Sequence, residues 1–119
     1  MKTESEIIQI ARQVIQNEIS SLNGVLDKVD RRFADAAGLI LDSGGKVVVS
    51  GVGKSAIIAQ KIAATMNSTG TTAVFLHAAD AIHGDLGLIQ NEDVIILLSK
   101  SGETPELKAL IPLIKARRN

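Results

Sequence analysis

The sequence predicts an α/β protein in which a parallel sheet carries helices on both faces. Three observations lead there. First, Val47-Val48-Val49, Ala73-Val74-Phe75-Leu76 and Val94-Ile95-Ile96-Leu97-Leu98 are apolar at every position rather than at alternate ones, the pattern of strands buried on both sides. Second, helical segments separate these runs, as a parallel connection requires. Third, two of the runs lead into glycine- and hydroxyl-rich loops, Gly51-Val52-Gly53-Lys54-Ser55 and Ser99-Lys100-Ser101-Gly102-Glu103-Thr104. Open α/β sheets place their ligands at that end of the strands.

Two helices come before the sheet. Thr3 and Glu6 have capping-box spacing, and Ile7, Ala11, Val14, Ile15, Ile19 and Leu22 recur at three and four. That spacing predicts an amphipathic helix ending near Asn23-Gly24. Val25, Leu26, Val29, Phe33, Ala36, Ala37, Ile40 and Leu41 repeat the pattern until Ser43-Gly44-Gly45 stops it. Residues 1–43 are therefore a helical segment whose apolar faces exceed what the sheet needs, and they are the expected oligomer contact. A helix that simply covers the sheet is the plainer alternative.

From Lys46 the period changes. A strand at Val47–Val49 is followed by the glycine loop and a helix to about Asn67. Thr69-Gly70-Thr71-Thr72 is a turn, and Ala73–Leu76 is the second strand. His77 to Gly87 is polar and mixed, with room for one short helical turn. Asn91-Glu92-Asp93 turns into the third strand, Val94–Leu98. Thr104 is placed to cap the last helix with Pro105 at its first position. Pro112 is expected to kink that helix by removing a donor from the ladder.

Composition narrows the function. A chain of 119 residues is one domain with a core that needs no staples. Cysteine is absent, which excludes disulfides and thiolate chemistry. The 13 basic and 13 acidic side chains balance, so charge gives no argument for nucleic acid or an anionic membrane. With two Phe and neither Trp nor Tyr, platforms for stacked bases are missing too. No apolar run approaches the roughly 20 residues that span a bilayer, and the N-terminus lacks a secretory pattern. A cytoplasmic protein with neither nucleic acid nor membrane as partner is expected.

The loops suit a phosphate. Amides at a helix N-terminus lack intrahelical partners, glycine allows close approach, and hydroxyls add hydrogen bonds. A nucleotide P-loop is rejected, because Val48 stands where G-x-x-x-x-G-K-[ST] needs its first glycine. Gly51-x-Gly53-x-x-Ala56 also fits a loose dinucleotide fingerprint, but Phe75-Leu76-His77 occupies the place of the ribose-binding acid. Lys54 is either a solvated loop lysine or a charge for a phosphate or developing oxyanion. His77 and His83 are the only histidines. His83-Gly84-Asp85 has the spacing to set an imidazole beside a carboxylate. Two histidines fall short of the three or four ligands a metal site wants. Glu103 and Glu106 either complement the dipole of the last helix or supply a base beside a bound sugar.

Taken in order, Gly51-Val52-Gly53-Lys54-Ser55, His83-Gly84-Asp85-Leu86-Gly87 and Ser99-Lys100-Ser101-Gly102-Glu103-Thr104 resemble the sugar isomerase (SIS) domain. The resemblance runs from about Thr3 to the last residue and is strongest to the arabinose-5-phosphate isomerase branch. It implies a three-layer, doubly wound, Rossmann-like parallel sheet, usually five-stranded. It implies an aldose–ketose isomerase that interconverts D-ribulose 5-phosphate and D-arabinose 5-phosphate through an enediol, feeding Kdo for bacterial lipopolysaccharide or capsule. By position it implies Lys54, Glu106 and His83 as catalytic residues, His83 also touching substrate. It implies Ser99, Ser101, Gly102 and Thr104 as the phosphate loop, with Gly53 and Ser55 beside it. Gly70 and Thr71 match a substrate-contacting turn, and His77 matches a position where zinc can bind. No cofactor is required, zinc at His77 being optional. The expected partners are a phosphorylated pentose and further copies of the chain, as homodimer or homotetramer.

The branch carries another catalytic glutamate, a histidine and often paired CBS domains in segments these 119 residues do not contain. A single SIS domain, incomplete at its C-terminus, is the expectation, with its activity alone left open. Lys100 stands where a short polar residue is common and adds positive charge. The alternative is a non-catalytic phosphosugar-binding regulatory module, and behind it a helix-driven oligomerisation scaffold.

Overall fold

Each of the three apolar runs becomes a strand of one sheet. The computed structural model describes residues 1–117. In it β1 (Val47–Gly51), β2 (Ala73–His77) and β3 (Val94–Leu97) lie parallel in the order β2-β1-β3. Val48 pairs with Val74 on one side and Ile95 on the other, and Ser50 with Leu76 and Leu97. β1 is central and buried along its whole length. The two-residue period of the strands sorts the core into two clusters, one on each face. Val48, Leu76, Ile95 and Leu97 meet Leu107, Leu110 and Ile114 of α5 (Pro105–Arg117) and Ala78 and Ala81 of α4 (Ala78–Ile82). Val47, Val49, Ala73, Phe75 and Ile96 meet Ala59, Ala63 and Met66 of α3 (Lys54–Ser68).

The connections explain the layers. β1 reaches β2 through α3 on one face, and β2 then crosses to the far side of β1 through α4 and a 3-10 turn at Asp85–Leu88. The sheet is doubly wound, with helices on both faces as expected, and the chain reverses its winding between β1 and β3. The short helical turn foreseen between His77 and Gly87 is in fact these two separate turns. The sheet has three strands among the described residues, as the three apolar runs predict, where the family usually has five.

The chain divides into two compact units, Met1–Gly38 and Leu39–Asn119. In the first, α1 (Glu4–Leu26) starts at the predicted capping box: the Glu6 amide donates to Thr3 Oγ1 at 3.3 Å, and the Thr3 amide donates to Glu6 Oε2 at 2.6 Å. α1 runs past the expected stop at Asn23-Gly24, since a helix tolerates one exposed glycine at a cost of about 1 kcal/mol. The break falls instead at Asp27–Asp30. There Asp30 Oδ1 accepts the Arg32 amide at 2.9 Å, an N-cap that starts α2 (Arg31–Asp42) at Arg31 rather than Val25. Ile7, Val14, Ile15, Ile19 and Leu22 on α1 are exposed. Among the described residues no helix is long and apolar enough to cross a membrane.

The amino ends of β1 and β3 are locked by polar contacts. Asp93 is 1% exposed. Its Oδ2 accepts Lys46 Nζ at 2.6 Å and the Gln90 amide at 2.8 Å, and its Oδ1 accepts the Lys46 amide at 3.0 Å. Burial, the largest single influence, pushes the Asp93 carboxyl up. The hydrogen bonds from Lys46 and Gln90 and the Lys46 charge together outweigh it, so its pKa lies below the ordinary aspartate value. Ser43 Oγ donates to the Glu92 carbonyl at 2.6 Å. A Cβ on Gly45 would sit 2.5 Å from that carbonyl oxygen, so the close approach requires glycine.

Candidate functional site

The carboxyl ends of the strands carry the loops singled out in the sequence. At the end of β1 a Cβ on Gly51 would lie 3.0 Å from the Ser55 carbonyl, so glycine lets the first turn of α3 seat directly on the strand. Gly53 has φ 58°, a left-handed conformation glycine adopts freely, and no side chain caps α3. Lys54 and Ser55 thus open a helix in which the Ala56 amide already donates to the Gly53 carbonyl at 3.1 Å, while the two amides before it precede the first turn's acceptors. The Lys54 side chain is exposed and makes no ion pair among the described residues.

β3 continues into the second loop. The Leu98 amide donates to the Ser50 carbonyl at 2.9 Å, tying the start of this loop to β1. Ser99 Oγ accepts the Gly102 amide at 2.9 Å and lies 2.7 Å from Thr104 Oγ1. Ser101 Oγ accepts the Glu103 amide at 3.0 Å. Gly102, at φ 73°, makes the turn. The Thr104 hydroxyl, expected to cap α5, is engaged with Ser99 instead, and the Thr104 carbonyl accepts the Lys108 amide at 3.0 Å. Pro105 is the first residue of α5 as predicted, and the helix runs on through Pro112.

The two glutamates separate. Glu103 Oε2 is 2.5 Å from Lys108 Nζ in an exposed ion pair. Glu106 is half-buried beside Leu107 and makes no hydrogen bond or ion pair among the described residues. The Glu106 carboxylate therefore has its oxygens open to a proton from a bound ligand, whereas the Glu103 carboxylate is taken up by the Lys108 ammonium.

β2 delivers the histidines. His77 ends the strand, and its Nδ1 accepts the Ala79 amide at 3.3 Å. α4 then leads to His83, which is exposed, and α4 packs against α5. The expected pairing of His83 with Asp85 is not made, because Gly84, at φ 147°, turns the chain between them. Gly53, Lys54, Ser55, His77, His83 and Ser99–Thr104 all belong to segments that leave the carboxyl ends of the strands. Gly70 and Thr71 do not: they precede β2 at its amino end, and the strand's length of about 13 Å separates them from His77. As to zinc, no three His, Cys, Asp or Glu side chains among the described residues gather closely enough to share an ion.

Two features escaped the sequence. Ser50 is fully buried next to the loops, with a hydroxyl that has no hydrogen-bond partner among the described residues. Its signal was a hydroxyl beside an otherwise apolar run. The capping role of His77 had its signal in the small residues Ala78-Ala79 directly behind a strand.

Comparison with known proteins agrees with this geometry. Residues 39–119 match the model of the SIS domain. Arabinose 5-phosphate isomerase GutQ of Escherichia coli (strain K12) is 44% identical over 109 residues, 92% of this chain and 34% of that protein. Arabinose 5-phosphate isomerase KdsD of Pseudomonas aeruginosa is 43% identical over 115 residues, 97% of this chain and 35% of that protein. The chain thus spans about a third of the length of these curated relatives. The solved structure of E. coli CFT073 c3406 in complex with arabinose 5-phosphate superimposes with a TM-score of 0.93 at 42% identity, covering 99% of this chain and 63% of that one.

Proposed function

Because the chain belongs to the SIS domain family, we propose that it interconverts D-arabinose 5-phosphate and D-ribulose 5-phosphate. The relatives named arabinose 5-phosphate isomerase and the solved complex with the sugar phosphate support the substrate. The observation that carries the reading is the pairing of a hydroxyl-lined turn at Ser99–Thr104 with an unclamped Glu106 in the first turn of the helix that follows it. The turn takes the phosphate, and binding energy won there is spent away from the reacting carbons. Glu106 removes the proton from C2 of the aldose, and the electron pair moves to the carbonyl oxygen as an enediolate. Lys54 steadies that negative charge. His83 moves a proton from the C2 hydroxyl to the C1 oxygen, and the proton on Glu106 returns to C1 to give the ketose. No atom is gained or lost, so no co-reactant is needed. Run in reverse, the same steps yield arabinose 5-phosphate, which serves synthesis of the eight-carbon acid Kdo.

The test is direct. The purified chain is incubated with arabinose 5-phosphate and ribulose 5-phosphate is assayed. Turnover lost in Glu106→Gln and retained in Glu103→Gln supports the assignment. Binding of the sugar phosphate by a folded sample with no turnover identifies a phosphosugar-binding module instead.

A further inference from the structure

The His77 ring is held from two sides. Its Nδ1 accepts the Ala79 amide and caps α4. The Phe75 ring meets it edge-on, with centroids 6.2 Å apart and planes at 87°. A backbone N–H only donates, so Nδ1 presents its lone pair there, and in a neutral imidazole the proton then sits on Nε2. A metal-binding histidine needs another arrangement: one nitrogen gives its lone pair to the ion, and the other donates its N–H to an acceptor. Here Nδ1 faces a donor and Nε2 carries the proton. Zinc ligation through Nε2 would move the proton to Nδ1, against the Ala79 N–H, and open the cap. The zinc position implied by family resemblance and the cap exclude each other in this geometry.

We propose that His77 is the cap of α4 and, through that helix, a positioning residue for His83, and that it is not a metal ligand. α4 is five residues long, too short to persist on its own hydrogen bonds. Ala78 and Ala81 fix one face of it in the core. His77 closes its first turn, and His83 stands at its other end, with its amide on the Asp80 carbonyl at 3.0 Å. Where the turn begins therefore sets where the His83 imidazole ends up. The positioning half rests on the proposed function; the cap does not.

Two measurements on the full chain test this. Histidine nitrogen NMR at mildly alkaline pH reads the tautomer directly. A protonated Nε2 on His77 is expected, and a protonated Nδ1 overturns the cap. Calorimetry with arabinose 5-phosphate and with inorganic phosphate then compares wild type, His77→Asn and His77→Leu. Asparagine keeps an acceptor near the position of Nδ1, and leucine has none. Asn is expected to hold sugar-phosphate affinity within about twofold while Leu loses about tenfold. Inorganic phosphate should bind all three alike, because the Ser99–Thr104 turn is untouched. Equal losses in Asn and Leu overturn the positioning role. One equivalent of zinc bound by wild type and lost in His77→Asn overturns the exclusion of metal. A wild type that binds no sugar phosphate refutes the proposed function and the positioning role with it, while the tautomer still decides the cap.

Discussion

Asp93→Asn removes one buried charge and turns an amide NH2 or a single oxygen toward groups that donate. In wild type, Lys46 Nζ and the Gln90 amide share Oδ2, and the Lys46 amide takes Oδ1. Asparagine keeps one acceptor oxygen, so one side of this arrangement becomes donor against donor. Breaking a buried pair by removing one partner costs about 3–5 kcal/mol. The Lys46 side chain is 21% exposed and can rehydrate, which places the expected loss at the lower end, about 3 kcal/mol. For a chain of this size that is a fall in Tm of about 12 °C. The pH dependence follows from the direction of the shift. The folded-state pKa of Asp93 is depressed, so its contribution is present above the unfolded value of about 3.9 and disappears as pH falls through the folded value. Urea unfolding of both proteins, from neutral pH to well below the ordinary aspartate value, should show a full gap at neutrality that closes in acid. A gap under about 1 kcal/mol at neutral pH, the range of exposed pairs, would refute the reasoning. So would a gap that stays constant into acid.

Ser99→Ala removes the acceptor of the Gly102 amide and the partner of Thr104, and should weaken inorganic phosphate and arabinose 5-phosphate alike by about tenfold in calorimetry. Gly45→Ala drives a methyl into the Glu92 backbone and should lower stability by about 1–3 kcal/mol in urea. Gly44→Ala, which meets only the flexible Glu92 side chain at 3.1 Å, should cost much less. The exposed α1 residues Ile15 and Ile19 lie one turn apart. Their joint replacement by Glu should lower the mass found by light scattering if this face joins copies of the chain, and an unchanged mass removes it as the contact.

How far the sequence foretold this molecule depended on how local each signal was. Val47–Val49, Ala73–Leu76 and Val94–Leu98 were legible as strands because a parallel sheet covered on both faces leaves no room for alternation. The capping box at Thr3 and Glu6 was legible because all its atoms lie within one turn. The boundary between the first two helices was misplaced at Gly24, since glycine stops a helix only where its backbone turns left-handed, and Gly24 stays helical. The working signal was Asp30, whose carboxylate accepts the Arg32 amide and pairs with its guanidinium. In the site, the hydroxyl- and glycine-rich turn at Ser99–Thr104 was readable from composition, but the partner of Thr104 was not. A cap and a hydroxyl–hydroxyl bond use the same side chain, and only the folded turn brings Ser99 within 2.7 Å. Helix position alone left Glu103 and Glu106 alike, only the family resemblance favouring Glu106, and the fold separates them through Lys108, five residues beyond Glu103, whose reach depends on side-chain path rather than helical period.

The hydrogen bonds of the Ser99–Thr104 turn also bear on what a phosphate gains there. The hydroxyls of Ser99 and Ser101 already accept the amides of Gly102 and Glu103, and Ser99 is paired with Thr104. A phosphate oxygen that takes these donors replaces bonds already made, so the net gain per contact is the difference between a charge-assisted bond and a neutral one. Such a turn is shaped in advance and costs little ordering, but it holds its anion weakly unless formal charge is added. Lys54 opens α3 and Lys100 lies within the turn, and both side chains are exposed and form no ion pair among the described residues. On this account the hydroxyls fix the phosphate's orientation while the lysines supply most of its affinity. Calorimetry at rising salt distinguishes the two contributions: affinity should fall steeply for wild type and hardly at all for Lys54→Ala combined with Lys100→Ala, because screening acts on the exposed charges and not on the hydroxyl contacts. A salt dependence unchanged in the double variant would place the anchoring charge elsewhere.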